Sequence, residues 1–181
     1  RQSLNQRWSR DDPSAAAEWM KPFYGSANSD LLETWSEQDP KAALAWAQAN
    51  LEASQQAKEW PGLASSYARH DPEAASVWVG SLPDGEARVK SIEQLAAAWD
   101  DEAALTWVRA LPNPVERDAG LLSVAKARQE KNDFTEAIAV AATAEPDNPQ
   151  RQEMIQASWR RWHGQDPGAA SHWLQSAPLP A

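Results

Sequence analysis

The 181-residue chain has no cysteine, which excludes thiol catalysis, zinc–thiolate centres and disulfide frameworks and leaves the compartment open. Basic side chains are short in supply: 17 Lys and Arg face 26 Asp and Glu, a net charge of −9. Sequence-independent nucleic-acid binding relies on Lys and Arg releasing counterions, and anionic membranes attract the same cations, so neither is an expected partner. Long apolar runs are missing as well. The longest, Ala137 to Ala144, falls far short of the roughly 20 residues a helix needs to cross a bilayer, so no membrane insertion is expected. No run alternates apolar and polar residues with the period of two that a half-buried strand needs. The chain opens on Arg1 with no basic-then-apolar leader, as expected of a processed mature form or a piece of a longer chain.

What is present instead is tryptophan, eleven copies of it, in a repeating order. Asp12-Pro13-Ser14-Ala15-Ala16 leads to Trp19, Asp39-Pro40-Lys41-Ala42-Ala43 to Trp46, and Asp71-Pro72-Glu73-Ala74-Ala75 to Trp78. Asp100-Asp101-Glu102-Ala103-Ala104 precedes Trp107, and Asp166-Pro167-Gly168-Ala169-Ala170 precedes Trp173. In each copy the tryptophan stands seven residues after the first aspartate. A degenerate copy runs from Asp133 to Val140, with Phe134 in the proline position. Successive aspartates are 27, 32, 29, 33 and 33 positions apart, the signature of a repeat array.

The chemistry of each copy predicts a helix start. Aspartate accepts the orphan N–H groups of a first helical turn, and proline fits the first helical position because it has no N–H to lose. Ala75, Trp78, Val79 and Leu82, and likewise Ala104, Trp107, Val108 and Leu111, then fall on one helical face. Leu82-Pro83 and Leu111-Pro112 end that helix, since the residue before proline is driven out of the α region. A second helical segment separates each of these helices from the next cap, marked by the i,i+4 pairs Leu31 and Trp35, Leu63 and Tyr67, and Ile92 and Ala96. Trp8 and Trp162 hold the slot of Tyr67, four residues before the cap, and Trp99 serves for the small Ala96 from the next turn. We call the longer preceding helix A and the Asp-capped one B.

Trp60-x-x-Leu63-Ala64-x-x-Tyr67 resembles the first-helix signature of the tetratricopeptide repeat, Trp-x2-Leu-Gly-x2-Tyr, with Ala64 where glycine is common and Ala75 close to the small residue of the second helix. The chain departs from that family in its shorter, irregular period, its Asp-Pro cap and its early Leu-Pro stop. It is also similar to Ala- and Trp-rich helical-repeat proteins of bacteria. The expected fold is all-α: a single helical-repeat domain over residues 1–181, an α-solenoid of about six helix-turn-helix repeats in a right-handed superhelical stack. The resemblance implies protein or peptide recognition along a concave face.

Identical placement in successive helices marks Trp19, Trp46, Trp78, Trp107 and Trp173 as core, because stacking units bury their apolar faces against their neighbours. His70, His163 and His172 form neither a HExxH pattern nor an i,i+4 pair, and the chain has no phosphate-cradling loop, GxSxG elbow or cofactor signature. No catalytic residue, cofactor or metal is therefore expected. Arg88, Arg117 and Arg151 each follow a proline by five positions and open an A helix, where a cation is unfavourable. Their recurrence calls for a compensating partner, a carboxylate or the carbonyls of a neighbouring helix end.

These features predict a non-enzymatic scaffold that binds a protein or peptide. Positions six after the aspartate, Glu18, Ala45, Val77, Thr106 and His172, vary while the core slots recur. The fifth unit lacks a B-helix tryptophan and is expected to open or bend, or to expose Phe134 to a partner, with Lys126 and Gln129 close to its missing aromatic. Trp159 pairs with Trp162 at i,i+3 and is expected at the last groove. The candidate partner-binding residues are therefore Phe134, Lys126, Gln129, Trp159 and His172. The rival classes are a carbohydrate- or cell-wall-binding domain using exposed tryptophans, a helical scaffold domain of an enzyme, and an RNA-reading repeat, which the negative charge disfavours.

Overall fold

A computed structural model of the chain describes residues 11–20, 27–99 and 102–176, and these are all-helical apart from the connections. Two compact units divide the chain, Arg1–Ala98 and Trp99–Ala181. The first holds α1 (Pro13–Met20), α2 (Ala27–Gln38), α3 (Pro40–Asn50), α4 (Ala53–His70), α5 (Pro72–Gly80) and α6 (Glu86–Trp99), which runs to the boundary. The second holds α7 (Glu102–Arg109), α8 (Pro114–Glu130), α9 (Phe134–Ala141), α10 (Pro149–Gln165) and α11 (Pro167–Ser176). Within the first unit α2 packs on α1, α3 and α4, and α4 packs on α3 and α5. Within the second, α8 packs on α7, α9 and α10, and α10 packs on α9 and α11. No described helix is long and apolar enough to cross a membrane.

The aspartates do start the B helices. The Asp12, Asp39, Asp71, Asp133 and Asp166 carboxylates accept the N–H groups of Ala15, Ala42, Ala74, Glu136 and Ala169 at 2.9 to 3.3 Å. Asp100 and Asp101, like Trp8, lie outside the described residues. The Asp71 cap is also bonded by the Lys41 ammonium at 3.0 Å, which holds its carboxyl below the ordinary range. Asn113 and Asn148 play the same capping role for α8 and α10, each followed by proline at the first helical position. Gly85 opens α6 at φ +145°, a conformation nearly confined to glycine, and its carbonyl accepts the Val89 N–H.

The most constant feature of the core is the alanine four residues after the aspartate. Ala16, Ala43, Ala75, Ala104, Ala137 and Ala170 are each no more than 1% exposed, in all six copies. The methyl group is fully enclosed in the packed core. We expect Ala75→Leu to destabilise the chain by about 1–3 kcal/mol through overpacking, measured by denaturant unfolding. A variant as stable as the parent would mean that the space beside α5 can expand.

The tryptophans join the two helices of a hairpin. Trp46 meets Trp35 at 6.2 Å between ring centroids, Trp78 meets Trp60 at 5.6 Å and Tyr67 at 6.4 Å, and Trp173 meets Trp162 at 5.6 Å. Trp99 faces Trp107 at 6.1 Å, filling from the next turn the slot that Ala96 leaves small. Trp35, Trp46, Trp60 and Trp78 are buried, as core residues should be. Trp107 and Trp173 are half-buried, and Trp19 is 55% exposed, so the expectation of uniform tryptophan burial is corrected. Among the described side chains of α10 and α11, only Ser158 and Ala170 are buried.

One consequence of the register is a difference between two equivalent indoles. Trp46 Nε1 donates to Glu18 on the preceding B helix at 2.8 Å. The residue that corresponds to Glu18 for Trp78 is Ala45, and the buried Trp78 Nε1 has no hydrogen-bond partner. An unsatisfied buried donor costs roughly 1–3 kcal/mol. Ala45→Glu should therefore raise stability, and Glu18→Ala should lower it, each by about 1 kcal/mol in urea unfolding. Opposite signs for the pair support the assignment; a neutral Ala45→Glu would show that the indole is reached by other means.

The recurring arginines reach back to the helix before them. Arg88 donates to the Leu82 carbonyl at 3.2 Å and to Asp84 at 2.8 Å, just past the end of α5. Arg117 donates to the Leu111 carbonyl, past the end of α7, at 3.1 Å and to Glu145 at 3.2 Å. Arg151 donates through Nε and Nη2 to the Ala142 carbonyl, at the end of α9, at 3.3 Å each. Each cation thus sits at the negative end of the preceding helix, although its own Cα lies in the first turn of the next.

Candidate functional site

The residues singled out from the sequence have different positions. Phe134 is 4% exposed and stacks on Trp162 at 6.1 Å with the rings 16° from parallel, so it is core rather than an exposed contact. Nor does the fifth unit thin the core: Leu121, Val124, Ala125, Ala137, Ile138, Val140 and Ala141 are all buried. Val140 itself is buried, and Phe134 supplies an aromatic to this copy from the first helical position. Gln129 Nε2 donates to the buried Ser158 Oγ at 3.0 Å, tying α8 to α10. Lys126 is exposed on α8 and His172 on α11. Trp159 is half-buried against Trp162, His163 and Trp173. Trp162 therefore brings Phe134 and Trp159 into one aromatic cluster. The varying positions Glu18, Ala45, Val77, Thr106 and His172 are all exposed, Val77 at 76%.

Two of the concavities among the described residues lie in the first unit. The larger, about 640 Å³, is walled by Trp60 and Trp78, which meet edge to face at 84°, and by the turn from Ser81 to Arg88. Arg88 and Asp84 in its lining pair with each other at 2.8 Å, and Glu86, also in the lining, is held below the ordinary carboxyl range by the Lys90 ammonium. Gln56 closes another side by donating to the Gln48 and Leu51 carbonyls at the end of α3.

The smaller concavity, about 320 Å³, is a groove across three successive A helices, with Glu33 and Ser36 from α2, Glu59, Gly62, Ser66 and Arg69 from α4, and Gln94 from α6. Ser36, Ser66 and Arg69 are held in place. Ser36 Oγ lies 2.9 Å from both Ser66 Oγ and the Glu33 carbonyl, and Arg69 donates to Ser65 at 3.0 Å and Ser66 at 3.2 Å. Gly62 sits inside the 18-residue α4, where glycine costs about 1 kcal/mol relative to alanine. A Cβ at that position would meet nothing within 4 Å, so no internal contact demands the glycine.

None of these groove residues stood out in the sequence. Ser36 and Ser66 each flank an aromatic of the A-helix slot, Trp35 and Tyr67, and that placement was the available signal. Asp118 was also missed: 5% exposed, it accepts the Glu145 N–H and the Asn148 side-chain amide, at 2.8 Å for the latter, and so fixes the turn into α10. Among the described residues no group of three or more His, Asp or Glu side chains is arranged to hold a metal ion. Comparison with known proteins finds no matching family model, no matching curated protein and no matching solved structure.

Proposed function

We propose that the chain is a tetratricopeptide-like helical-repeat scaffold that binds a protein or peptide without catalysing a reaction, with its repeats stacked as an α-solenoid. The observation that carries this reading is the groove crossing α2, α4 and α6, whose side chains come from equivalent helices and three of which, Ser36, Ser66 and Arg69, are already ordered by hydrogen bonds. Groups fixed before binding lose little entropy on binding, which favours recognition by such a surface. The exposed and varying positions of the B helices offer a second face that can change without disturbing the buried alanines.

Selection of peptides from an unbiased displayed library on the purified chain, followed by mapping of the bound peptides through backbone amide shifts, tests the proposal. Binding on the A helices supports it; a library that yields no ligand for the chain overturns it. The carbohydrate-binding alternative rests on the 55% exposure of Trp19, since Trp35, Trp46, Trp60 and Trp78 are buried and offer no stacking platform. Saturable protection of Trp19 fluorescence from acrylamide by an oligosaccharide would favour that alternative.

A further inference from the structure

We infer that the face carrying Trp162, His163 and Leu174 on the hairpin of α10 and α11 docks an acidic amphipathic helix of another protein, laid across the two helices as an A helix lies across the hairpin before it. The inference concerns a different surface from the groove and goes beyond that reading. Its first ground is a comparison of equivalent positions. Eight residues after the repeat aspartate stand Ala47, Val79, Val108, Ala141 and Leu174; the first four are completely buried, whereas Leu174 is 45% exposed. Four residues before the aspartate, Trp35, Tyr67 and Ala96 are buried and Trp162 is only half-buried. Three before it, Ser36 and Ala68 are buried and His163 is exposed.

Packing inside the chain shows what covers such positions. The A helix α4 packs on both α2 and α3, the hairpin before it, and α10 packs likewise on α8 and α9. Side chains join the successive A helices: Ser36 bonds Ser66, and Gln129 donates to Ser158. An occupant of the equivalent face on α10 and α11 is therefore a helix with one apolar stripe.

Charge selects the kind of helix. Residues 149–176 hold three arginines and two acidic side chains, net +1, in a chain whose remaining residues carry −10. Arg160 stands one helical turn before His163 and so borders the open face; Arg161 is exposed as well, and neither has an ion-pair partner among the described residues. A junction between copies already joins opposite charges in this way, Lys41 Nζ of α3 lying 3.0 Å from the carboxylate of Asp71 in the next copy. Glutamates beside the apolar stripe of an incoming helix are attracted by the two arginines, and lysines there are repelled. A second copy suits the face less well. Residues 1–10, its segment before the Asp12 cap, carry three arginines and no acid.

The test titrates the chain at low salt with two stapled model helices, each with leucines and a tryptophan at i, i+3, i+4 and i+7, flanked by glutamates in one and by lysines in the other. Fluorescence anisotropy reads affinity, and backbone amide shifts read position. The glutamate helix should shift Trp162, His163 and Leu174, and should bind roughly tenfold more weakly to Leu174→Gln and to Arg160→Gln/Arg161→Gln. Arg160→Glu/Arg161→Glu should turn the preference toward the lysine helix. All of these variants replace exposed side chains, so their circular-dichroism spectra should match the parent. Equal affinity for the two helices, shifts away from α10 and α11, or unchanged affinity in Leu174→Gln would each overturn the inference. So would a dimer in analytical ultracentrifugation that Leu174→Gln abolishes, since the face would then belong to a second copy. Library-selected peptides that map to α2, α4 and α6 keep the scaffold reading in any of those cases, whereas a library without ligands overturns that reading and leaves this one to its own titration.

Discussion

Trp78→Ala should lower the unfolding free energy by about 3–5 kcal/mol, the range for deleting a buried large aromatic. The indole is 8% exposed, lies 5.6 Å from Trp60 and 6.4 Å from Tyr67, and is a principal contact between α5 and α4. Its removal leaves a cavity between two helices beside the fully buried Ala75. Denaturant unfolding should show a lower midpoint with an unchanged slope, as expected when stability alone changes. Trp107→Ala should cost less, because Trp107 is half-buried and faces the half-buried Trp99. Equal losses for the two variants would mean that exposure does not govern the tryptophan contribution.

Phe134→Ala should be nearly as damaging, about 3–5 kcal/mol, because the ring is buried and bridges α9 to α10 through its stack on Trp162. The corollary concerns the order of local opening. Segments with many buried apolar side chains open late, and frayed ends open early. Amide hydrogen exchange should therefore show α10 and α11, whose buried residues among those described are Ser158 and Ala170, opening before the segment from Leu121 to Ala144. A Leu121 to Ala144 segment that exchanges first would restore the sequence-based expectation of a weak fifth unit and contradict the packing seen around Phe134.

Substituting Val140 for tryptophan looks like a loss of apolar area when the copies are compared position by position. The buried aromatic of this copy comes instead from a different position, Phe134, whose partner Trp162 belongs to the following hairpin. That contact depends on which helices face each other. The tryptophans show the same dependence: one slot in the repeat is buried at Trp46 and Trp78, half-buried at Trp107 and Trp173, and exposed at Trp19. The recurring arginines went the other way, since their spacing from a proline already called for a partner and the preceding helix ends supplied it.

Local chemistry in the sequence by itself determined the helical content, the Asp caps, the face of each helix that turns inward and the buried alanine of every copy. Each of these depends on interactions within a few residues: a carboxylate and the N–H groups three positions on, a proline that ends a helix, an apolar period of 3.6. Only the tertiary structure decided which tryptophans are covered, that Trp78 has no counterpart of Glu18, that Asp118 anchors a distant turn, and that Ser36, Ser66, Arg69 and Gly62 share one groove. Residues about 30 positions apart meet there, as Ser36 and Ser66 do, and the repeat period varies by several residues from copy to copy. With no fixed period, spacing along the chain cannot tell which side chains of successive helices will face one another, and packing has to choose.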